Sequence, residues 1–320
     1  MRKALVIGIN HYEDIKSLNG CVNDAMEVNR VLSRHANNED HEKNFEVELI
    51  TADHGLQLSR GILKDRIEEL FRDPREISLL YFSGHGHVEF TGGYLMTSEC
   101  KRGDDGLSMA EILSIVNNSP AHNNIIIFDC CHAGSFGKSS MNTNLTSINE
   151  GVTVLAASAA NQYSVEKNGS GVFTRLLIHA LDGGAASILG EVTPGNIYGY
   201  IDKAMGEKGQ RPIFMTSIRR YTNLRKVYTQ IRPLHLKEMI NLFPNGPDEV
   251  FNLNPSFEPK SENPNPENVK KFEVLQKYNR VNLVVPVDAP HMYDAAMESK
   301  SCKLTTQGKS YWEMVNNDII

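Results

Sequence analysis

The sequence predicts an α/β fold, in which a doubly wound, mostly parallel sheet flanked by helices is followed by a small α+β domain. Two observations support this prediction. Short apolar runs rich in β-branched residues alternate with segments of helical spacing over residues 1–216. Beyond residue 243 the chain becomes rich in proline and asparagine. We therefore predict a first domain over residues 1–218, a connecting helix and Pro/Asn-rich linker over 219–266, and a small interaction domain over 267–320.

Each predicted strand is a short apolar run that suits burial on both faces of a parallel sheet. The predicted strands are Ala4–Ile9, Phe45–Thr51, Ile77–Phe82, Ile125–Phe128 and Val152–Ala156. The segments with helical spacing are Val22–Leu32, Leu58–Phe71, Met109–Val116, Phe173–Leu181 and Ile197–Met205. Ser108, followed three residues later by Glu111, predicts a capping box at the third helix. This βαβ rhythm implies right-handed crossovers, with ligands bound beyond the carboxyl ends of the strands.

The C-terminal part is predicted from its prolines and from shorter patterns. Phe243–Asn268 contains six prolines among Asn, Ser and Glu, which indicates a long loop or linker. The elements predicted after it are a helix over Glu267–Lys277, strands over Val281–Val287 and Cys302–Leu304, and a helix over Thr305–Val315 capped by Thr305 or Thr306. The last strand and helix resemble the wing and final helix of a winged-helix domain. We expect this region to bind a regulatory protein partner.

Composition excludes several classes of function. The net charge of −6 argues against a general polyanion binder. Residues 1–219 carry 20 Lys+Arg and 27 Asp+Glu, and residues 220–320 carry 13 and 12, so neither part has the basic excess that nucleic-acid binding needs. The longest apolar runs are too short to span a bilayer. Five scattered cysteines give no disulfide framework and no signal peptide is evident, so we expect a cytoplasmic protein without membrane or nucleic-acid partners.

Reactive side chains follow two of the predicted strands. The third strand leads into Ser83-Gly84-His85-Gly86, and the fourth into Asp129-Cys130-Cys131-His132-Ala133-Gly134. A thiol just past the fourth strand would face His85 across a cleft, as a cysteine nucleophile requires to form its thiolate. The main-chain N–H groups of that cysteine and of Gly86 would form an oxyanion hole.

Three other interpretations of these residues stay open. A buried cysteine is usually a small hydrophobic residue, although two thiols and a histidine at one strand end are not a packing pattern. A zinc site is disfavoured because adjacent Cys-Cys-His ligands converge poorly, and we predict no metal here; its ligands would be His85, His87, Cys130, Cys131 and His132. A binding fold that has lost its chemistry is the third alternative.

The two motifs resemble the histidine and cysteine motifs of caspase-like cysteine proteases, and more closely those of metacaspases and their prokaryotic relatives. The resemblance covers roughly residues 1–216 and includes Leu18-Asn19-Gly20-Cys21-Val22-Asn23-Asp24-Ala25. It implies a caspase-like fold in which His85 is the general base, Cys131 is the nucleophile, and Gly86 and Cys131 provide the oxyanion N–H groups. This chain has Ala133 where serine is common in the family.

The resemblance also implies an acidic pocket for the residue before the scissile bond. In metacaspases this pocket takes Arg or Lys, and the matching positions here are Asp24, Ser83 and Asp129. No arginine occupies these positions to hold an aspartate side chain, as animal caspases require. The segment after the fifth strand, which contains Ser158, would form a wall of the cleft. Alternatively, Asp24 favours a helix dipole in a first turn, and Asp129 binds local backbone N–H groups.

The resemblance raises two further expectations about activation. Some metacaspases are activated by calcium through clustered aspartates, and Asp104-Asp105 resembles part of such a cluster. One acidic pair is a poor cation site, so we predict that no cofactor is required. Loops near the cleft are often cut during activation in this family, and Lys138 and Lys167 are the candidate autocleavage sites.

The sequence therefore predicts a cytoplasmic cysteine endopeptidase that cuts protein or peptide substrates after Arg or Lys. The resemblance connects it to regulated effector proteases of bacterial stress, defence or cell-death responses, and we expect this chain to be a zymogen that awaits a partner. One alternative is a non-catalytic caspase-like scaffold that recruits partners. The other is a signal-responsive regulator that binds DNA through its C-terminal domain.

Overall fold

The computed structural model describes residues 1–36, 42–101, 105–130, 138–139, 142–146, 148–157, 166–167, 170–206 and 211–320. The chain forms two compact units, Met1–Tyr228 and Thr229–Ile320. The division therefore falls inside the segment that the sequence analysis assigned to a connecting helix and linker.

The first unit is built on a six-stranded sheet. Its strands are β1 (Arg2–Ile9), β2 (Glu46–Ala52), β3 (Ile77–Ser83), β7 (Asn123–Asp129), β10 (Val152–Ala156) and β14 (Ile213–Ser217), in the spatial order β14-β10-β7-β3-β1-β2. All neighbouring pairs are parallel except β10 and β14. The five predicted strands are confirmed. β14 was not predicted, because this edge strand is only half-buried and shows no continuous apolar run.

Helices cover both faces of the sheet. They are α1 (Cys21–Ser33), α2 (Arg60–Arg72), α3 (Met109–Asn117), α4 (Val172–His179), which continues into a π-helical turn, and α5 (Pro194–Met205). Apolar residues of α2 and α3 pack with one face of the sheet, and those of α1, α4 and α5 pack with the other. The side chains of β3 alternate between the two faces, as expected for a strand buried on both sides.

Serine side chains cap two of these helices, and the cap of α3 was predicted. Ser108 caps α3 by accepting a hydrogen bond from the N–H of Ala110 (3.3 Å). Glu111 does not complete the predicted capping box, because its carboxylate binds Lys64 (2.6 Å) and Arg60 (3.2 Å) of α2. Ser59 caps α2 in the same manner as Ser108 caps α3.

The first unit also contains short strands that lie outside its six-stranded sheet. They are β4 (Gly86–Glu89), β5 (Gly92–Leu95), β6 (Leu107–Ser108), β8 (Lys138–Ser139), β9 (Asn142–Thr146), β11 (Glu166–Lys167), β12 (Ser170–Gly171), β13 (Glu191–Val192) and β15 (Arg225–Lys226). β4, β5 and β6 form an antiparallel ribbon directly after β3. None of these strands was predicted from sequence, since each is too short to show a period.

The carboxyl ends of three adjacent strands meet at one edge of the sheet. Gly8 of β1 pairs with Ser83 of β3, and Ser83 pairs with Asp129 of β7. Gly8 allows β1 and α1 to approach closely, because a Cβ at this position would lie 2.3 Å from the carbonyl oxygen of Cys21. The helix that carries Asp24 is thereby held against the same edge.

The second unit is a small α+β domain. Its elements are α6 (Pro233–Lys237), α7 (Met239–Leu242), β16 (Val250–Asn252), a 3₁₀ turn (Pro255–Phe257), α8 (Pro266–Arg280), β17 (Val284–Val287), α9 (Met292–Met297), β18 (Ser301–Leu304) and α10 (Thr306–Asn316). The strands form an antiparallel sheet with β18 in the middle. Thr305 caps α10 by accepting the N–H of Gly308 (3.0 Å). A winged-helix domain stays a prediction.

The proline-rich stretch expected to be a linker contributes to the core of this second unit. Phe251 lies on β16, which pairs with β18, and Phe257 is buried in the following 3₁₀ turn. Their rings pack edge to face, and Phe243 and Phe272 extend the cluster. In neither unit does a helix of the described residues have the length and apolar character needed to cross a membrane.

Candidate active site

His85 follows β3 at the edge where the strand ends meet. Its ring Nε2 lies 2.7 Å from the main-chain carbonyl oxygen of Lys16. A carbonyl can only accept a hydrogen bond, so Nε2 carries the proton in the neutral imidazole. Nδ1 is then the basic nitrogen, which is the arrangement that a general base requires.

Tyr12 holds the backbone and the ring of the same histidine. Its hydroxyl accepts the main-chain N–H of His85 (2.8 Å), and the two ring centroids are 4.8 Å apart. Glycine is required at position 84, because a Cβ there would lie 2.7 Å from the Tyr12 hydroxyl. Burial raises the pKa of Tyr12 well above its ordinary value, so the phenol stays neutral.

The loop between β1 and α1 supplies both of these partners of His85. Asn10 anchors the loop where β1 ends. Its side-chain oxygen accepts the N–H groups of Cys21 (2.9 Å) and Val22 (3.3 Å) at the start of α1. Its carbonyl accepts the N–H of Leu18 (2.8 Å). A single buried asparagine thus fixes both ends of the loop.

Two buried carboxylates lie beside the first turn of α4. Asp24 Oδ2 accepts the N–H of Gly171 (2.9 Å), and Asp129 Oδ2 accepts the hydroxyl of Thr174 (2.7 Å). Glycine at 171 is required by this close approach, because a Cβ there would lie 2.2 Å from Asp129 Oδ2. Asp24 lies in the first turn of α1, as the helix-dipole interpretation also requires. Asp129 Oδ2 also accepts the N–H of Thr174 (3.3 Å), on a helix that is distant in sequence.

Cys131 lies outside the described residues, two positions after the end of β7. Its neighbour Cys130 is described and fully buried, and Asp129, the first residue of the cysteine motif, lies at the same sheet edge as His85. Ser83 is also buried there, beside Asp129. The described structure therefore brings His85, Ser83, Asp24 and Asp129 to one edge.

A match to a family model identifies this fold. The model of the caspase domain, from a family of peptidases, matches residues 1–222, which is more than half of the chain. The chain belongs to the caspase domain family. This family consists of cysteine peptidases, and the α/β fold of the caspase domain confirms the predicted class.

One solved structure adds to this classification of the caspase domain. The chain is similar to the crystal structure of protein GSU0716 from Geobacter sulfurreducens, with a TM-score of 0.52 and 17% sequence identity. The similarity covers 71% of this chain and 97% of that one, and it shows the fold. No curated protein sequence matches this chain significantly.

Other residues predicted for the caspase domain take varied places. Gly86 is the first residue of β4 and pairs with Leu95. Lys138 and Lys167 belong to β8 and β11, and their side chains are outside the described part of the chain. Ser158 and Asp104 also lie outside it. Asp105 accepts the N–H of Lys101 (3.1 Å) and so closes a turn.

The described structure offers no cluster for a metal in the caspase domain. No group of three or more His, Cys, Asp or Glu is placed to bind a metal ion within the described ranges. His87, one ligand of the zinc interpretation, instead lies on β4 with Nε2 2.8 Å from Glu89 Oε1.

Sequence reasoning missed four residues around the site. Tyr12 follows β1, so the same search beyond strand ends that found His85 would have found it. Lys16 contributes a main-chain oxygen, which no side-chain pattern reveals. Tyr81 and Thr174 are ordinary strand and helix residues whose hydroxyl groups meet only in the folded chain (2.6 Å).

Proposed function

We propose that this caspase domain is a cysteine endopeptidase that hydrolyses peptide bonds after Arg or Lys. One observation carries the proposal: Nε2 of His85 lies 2.7 Å from the carbonyl oxygen of Lys16. This contact gives the imidazole the tautomer that accepts a proton at Nδ1. His85 follows β3, whose carboxyl end lies beside that of β7. Membership of a peptidase family supplies the reaction class.

The proposed mechanism uses Cys131 and His85 as a dyad. His85 Nδ1 takes the proton from the Cys131 thiol, and the thiolate attacks the carbonyl carbon of the scissile bond. The N–H groups of Gly86 and Cys131 stabilise the oxyanion of the tetrahedral intermediate. His85 then protonates the leaving amine, and an acyl-enzyme remains on the sulfur. Water, deprotonated by His85, releases the second product and restores the thiol.

The proposed preference for Arg or Lys rests on the two acidic side chains. Asp24 and Asp129 are both at most 5% exposed and both lie next to Gly171. Two carboxylates in a site of low dielectric are stabilised by a cation between them, and an arginine guanidinium suits them best. An acidic substrate side chain would be repelled from the same place.

Cleavage of fluorogenic peptides that end in Arg, Lys or Asp tests this proposal. The chain offers two matched controls. Cys131→Ala should abolish turnover, whereas Cys130→Ala, which changes the adjacent buried thiol, should keep it. His85→Ala should also abolish turnover, whereas His87→Ala, which changes an exposed neighbour, should not. Preference for Asp would refute the acidic pocket and retain the peptidase.

A wild type that cleaves none of the three peptides would favour a zymogen or the scaffold alternative. Comparing the intact masses of wild-type and Cys131→Ala protein, alone and after mixing, tests whether the chain processes itself. We propose that wild type cuts the inactive chain after Lys138 or Lys167, and intact-mass spectrometry would detect the fragments. An uncut chain under all conditions would contradict processing at these sites.

A further inference from the structure

A series of buried hydrogen bonds ends on one of the two carboxylates. Thr174, in the first turn of α4, contacts Asp129 Oδ2 with its N–H (3.3 Å) and its hydroxyl (2.7 Å). The hydroxyl of Tyr81 on β3 lies 2.6 Å from Thr174 Oγ1. Tyr81 and Thr174 are both fully buried. The series therefore runs from the core of the unit to the candidate active site.

Chemistry sets the direction of these hydrogen bonds. An ionised carboxylate only accepts, so the hydroxyl of Thr174 donates to Asp129. Thr174 Oγ1 then accepts from the Tyr81 hydroxyl. Burial raises the pKa of Tyr81 well above its ordinary value, and the charges of Asp129 and Asp24 raise it further. Tyr81 thus keeps its proton and remains a donor.

Packing alone does not account for two hydroxyl groups in this place. A tyrosine hydroxyl and a threonine hydroxyl in an apolar core must each find a partner, at a desolvation cost that phenylalanine and valine would avoid. Their partner is the carboxylate. Thr174 donates two hydrogen bonds to one oxygen of Asp129, and Tyr81 holds Thr174 in place. These bonds restrict rotation of the Asp129 side chain.

We infer that Thr174 is a positioning residue for substrate specificity, which holds the Asp129 carboxylate toward the cation of a substrate Arg or Lys. Tyr81 supports Thr174 in this role. The inference rests on the proposed function. A carboxylate accepts hydrogen bonds on both of its oxygens, so Asp129 can accept from Thr174 on Oδ2 and also bind a guanidinium.

The test compares two peptides that differ only in Arg or citrulline before the scissile bond. Citrulline has the shape of arginine without its charge. In Thr174→Val protein, the ratio of kcat/KM for Arg over citrulline should fall roughly tenfold, mainly through KM, because a hydrogen bond to a charged group is lost. Thr174→Ser keeps the hydroxyl and should keep the ratio of the wild type. An equal loss on both peptides would mean a merely structural role and would overturn the inference.

A double variant separates specificity from stability. Thr174→Val leaves the Tyr81 hydroxyl without its acceptor and should lower Tm. Adding Tyr81→Phe removes that orphaned donor, so the double variant should recover Tm while its Arg-to-citrulline ratio stays low. Recovery of the ratio together with Tm would overturn the inference, because specificity would then only follow stability.

The wild type distinguishes failure of the inference from failure of the proposed function. A wild type that does not prefer Arg over citrulline refutes the acidic pocket, and the inference falls with it. If the wild type turns over neither peptide, the same two sequences are titrated calorimetrically into Cys131→Ala protein and its Thr174→Val derivative. The ratio of the two dissociation constants should then fall by the same factor. An unchanged ratio would overturn the inference.

Discussion

Gly8→Ala tests the close packing that holds α1 against the sheet edge of the candidate site. The added Cβ would lie 2.3 Å from the carbonyl oxygen of Cys21 and 2.7 Å from the Cβ of Ala25, well inside van der Waals contact. Both atoms belong to α1, so the helix must move away from β1. Overpacking of this kind costs about 1–3 kcal/mol. Alanine recovers about 0.4–1 kcal/mol by restricting the unfolded chain. We expect a net loss of about 1–2 kcal/mol.

Urea unfolding monitored by circular dichroism measures this loss of unfolding free energy. The same loss corresponds to a fall in Tm of about 2–8 °C for a unit of this size. Trp312, the single tryptophan, lies in α10, so its fluorescence reports the second unit. The matched control is Gly199→Ala in α5, where a Cβ meets no heavy atom within 4 Å. There the same change should stabilise by about 0.5–1 kcal/mol. A Gly8→Ala protein as stable as the wild type would refute the packing argument.

Three further predictions concern single side chains. Tyr12→Phe removes the acceptor of the His85 N–H, worth about 1–3 kcal/mol, so kcat on an arginyl peptide should fall about tenfold with little change in KM. An unchanged kcat would show that Tyr12 does not position His85. Lys16→Ala should keep kcat/KM within about twofold, since His85 uses only the main-chain oxygen of residue 16; a large loss would assign a role to the side chain. Burial raises the pKa of Cys302 to about 12, so at pH 8 its thiol is protonated and should react with a disulfide reagent only after denaturation. Labelling of Cys302 in the native protein, detected by mass spectrometry, would contradict its burial.

The parts of the fold that could be predicted are those buried on both sides. β1, β3 and β7 are continuous apolar runs because helices cover both faces, and this pattern is visible in the sequence. β14 is a half-buried edge strand, so its pattern is ambiguous. The proline-rich stretch was assigned to a linker because composition alone does not show that Phe251 and Phe257 pack together.

The candidate site was predictable to the same extent. The reactive side chains could be predicted because they stand at strand or helix ends, as do those of His85, Asp24 and Asp129. Their hydrogen-bond partners could not be predicted in this way. Lys16 and Gly171 act through main-chain atoms, and no residue identity encodes such a contact. Thr174 meets Asp129 only because α4 packs against the sheet beside α1.

The hydrogen bonds of the site connect segments that are far apart in the chain, and this separation affects when the site forms. The residues that bind the ring and the main-chain N–H of His85 precede it in the chain, because Lys16 and Tyr12 lie in the loop after β1. Asp24, however, is bonded to Gly171, which lies 147 residues further on. Contacts of such long range form late in folding. The acidic pocket of the proposed peptidase can therefore be complete only after Gly171 has been synthesised.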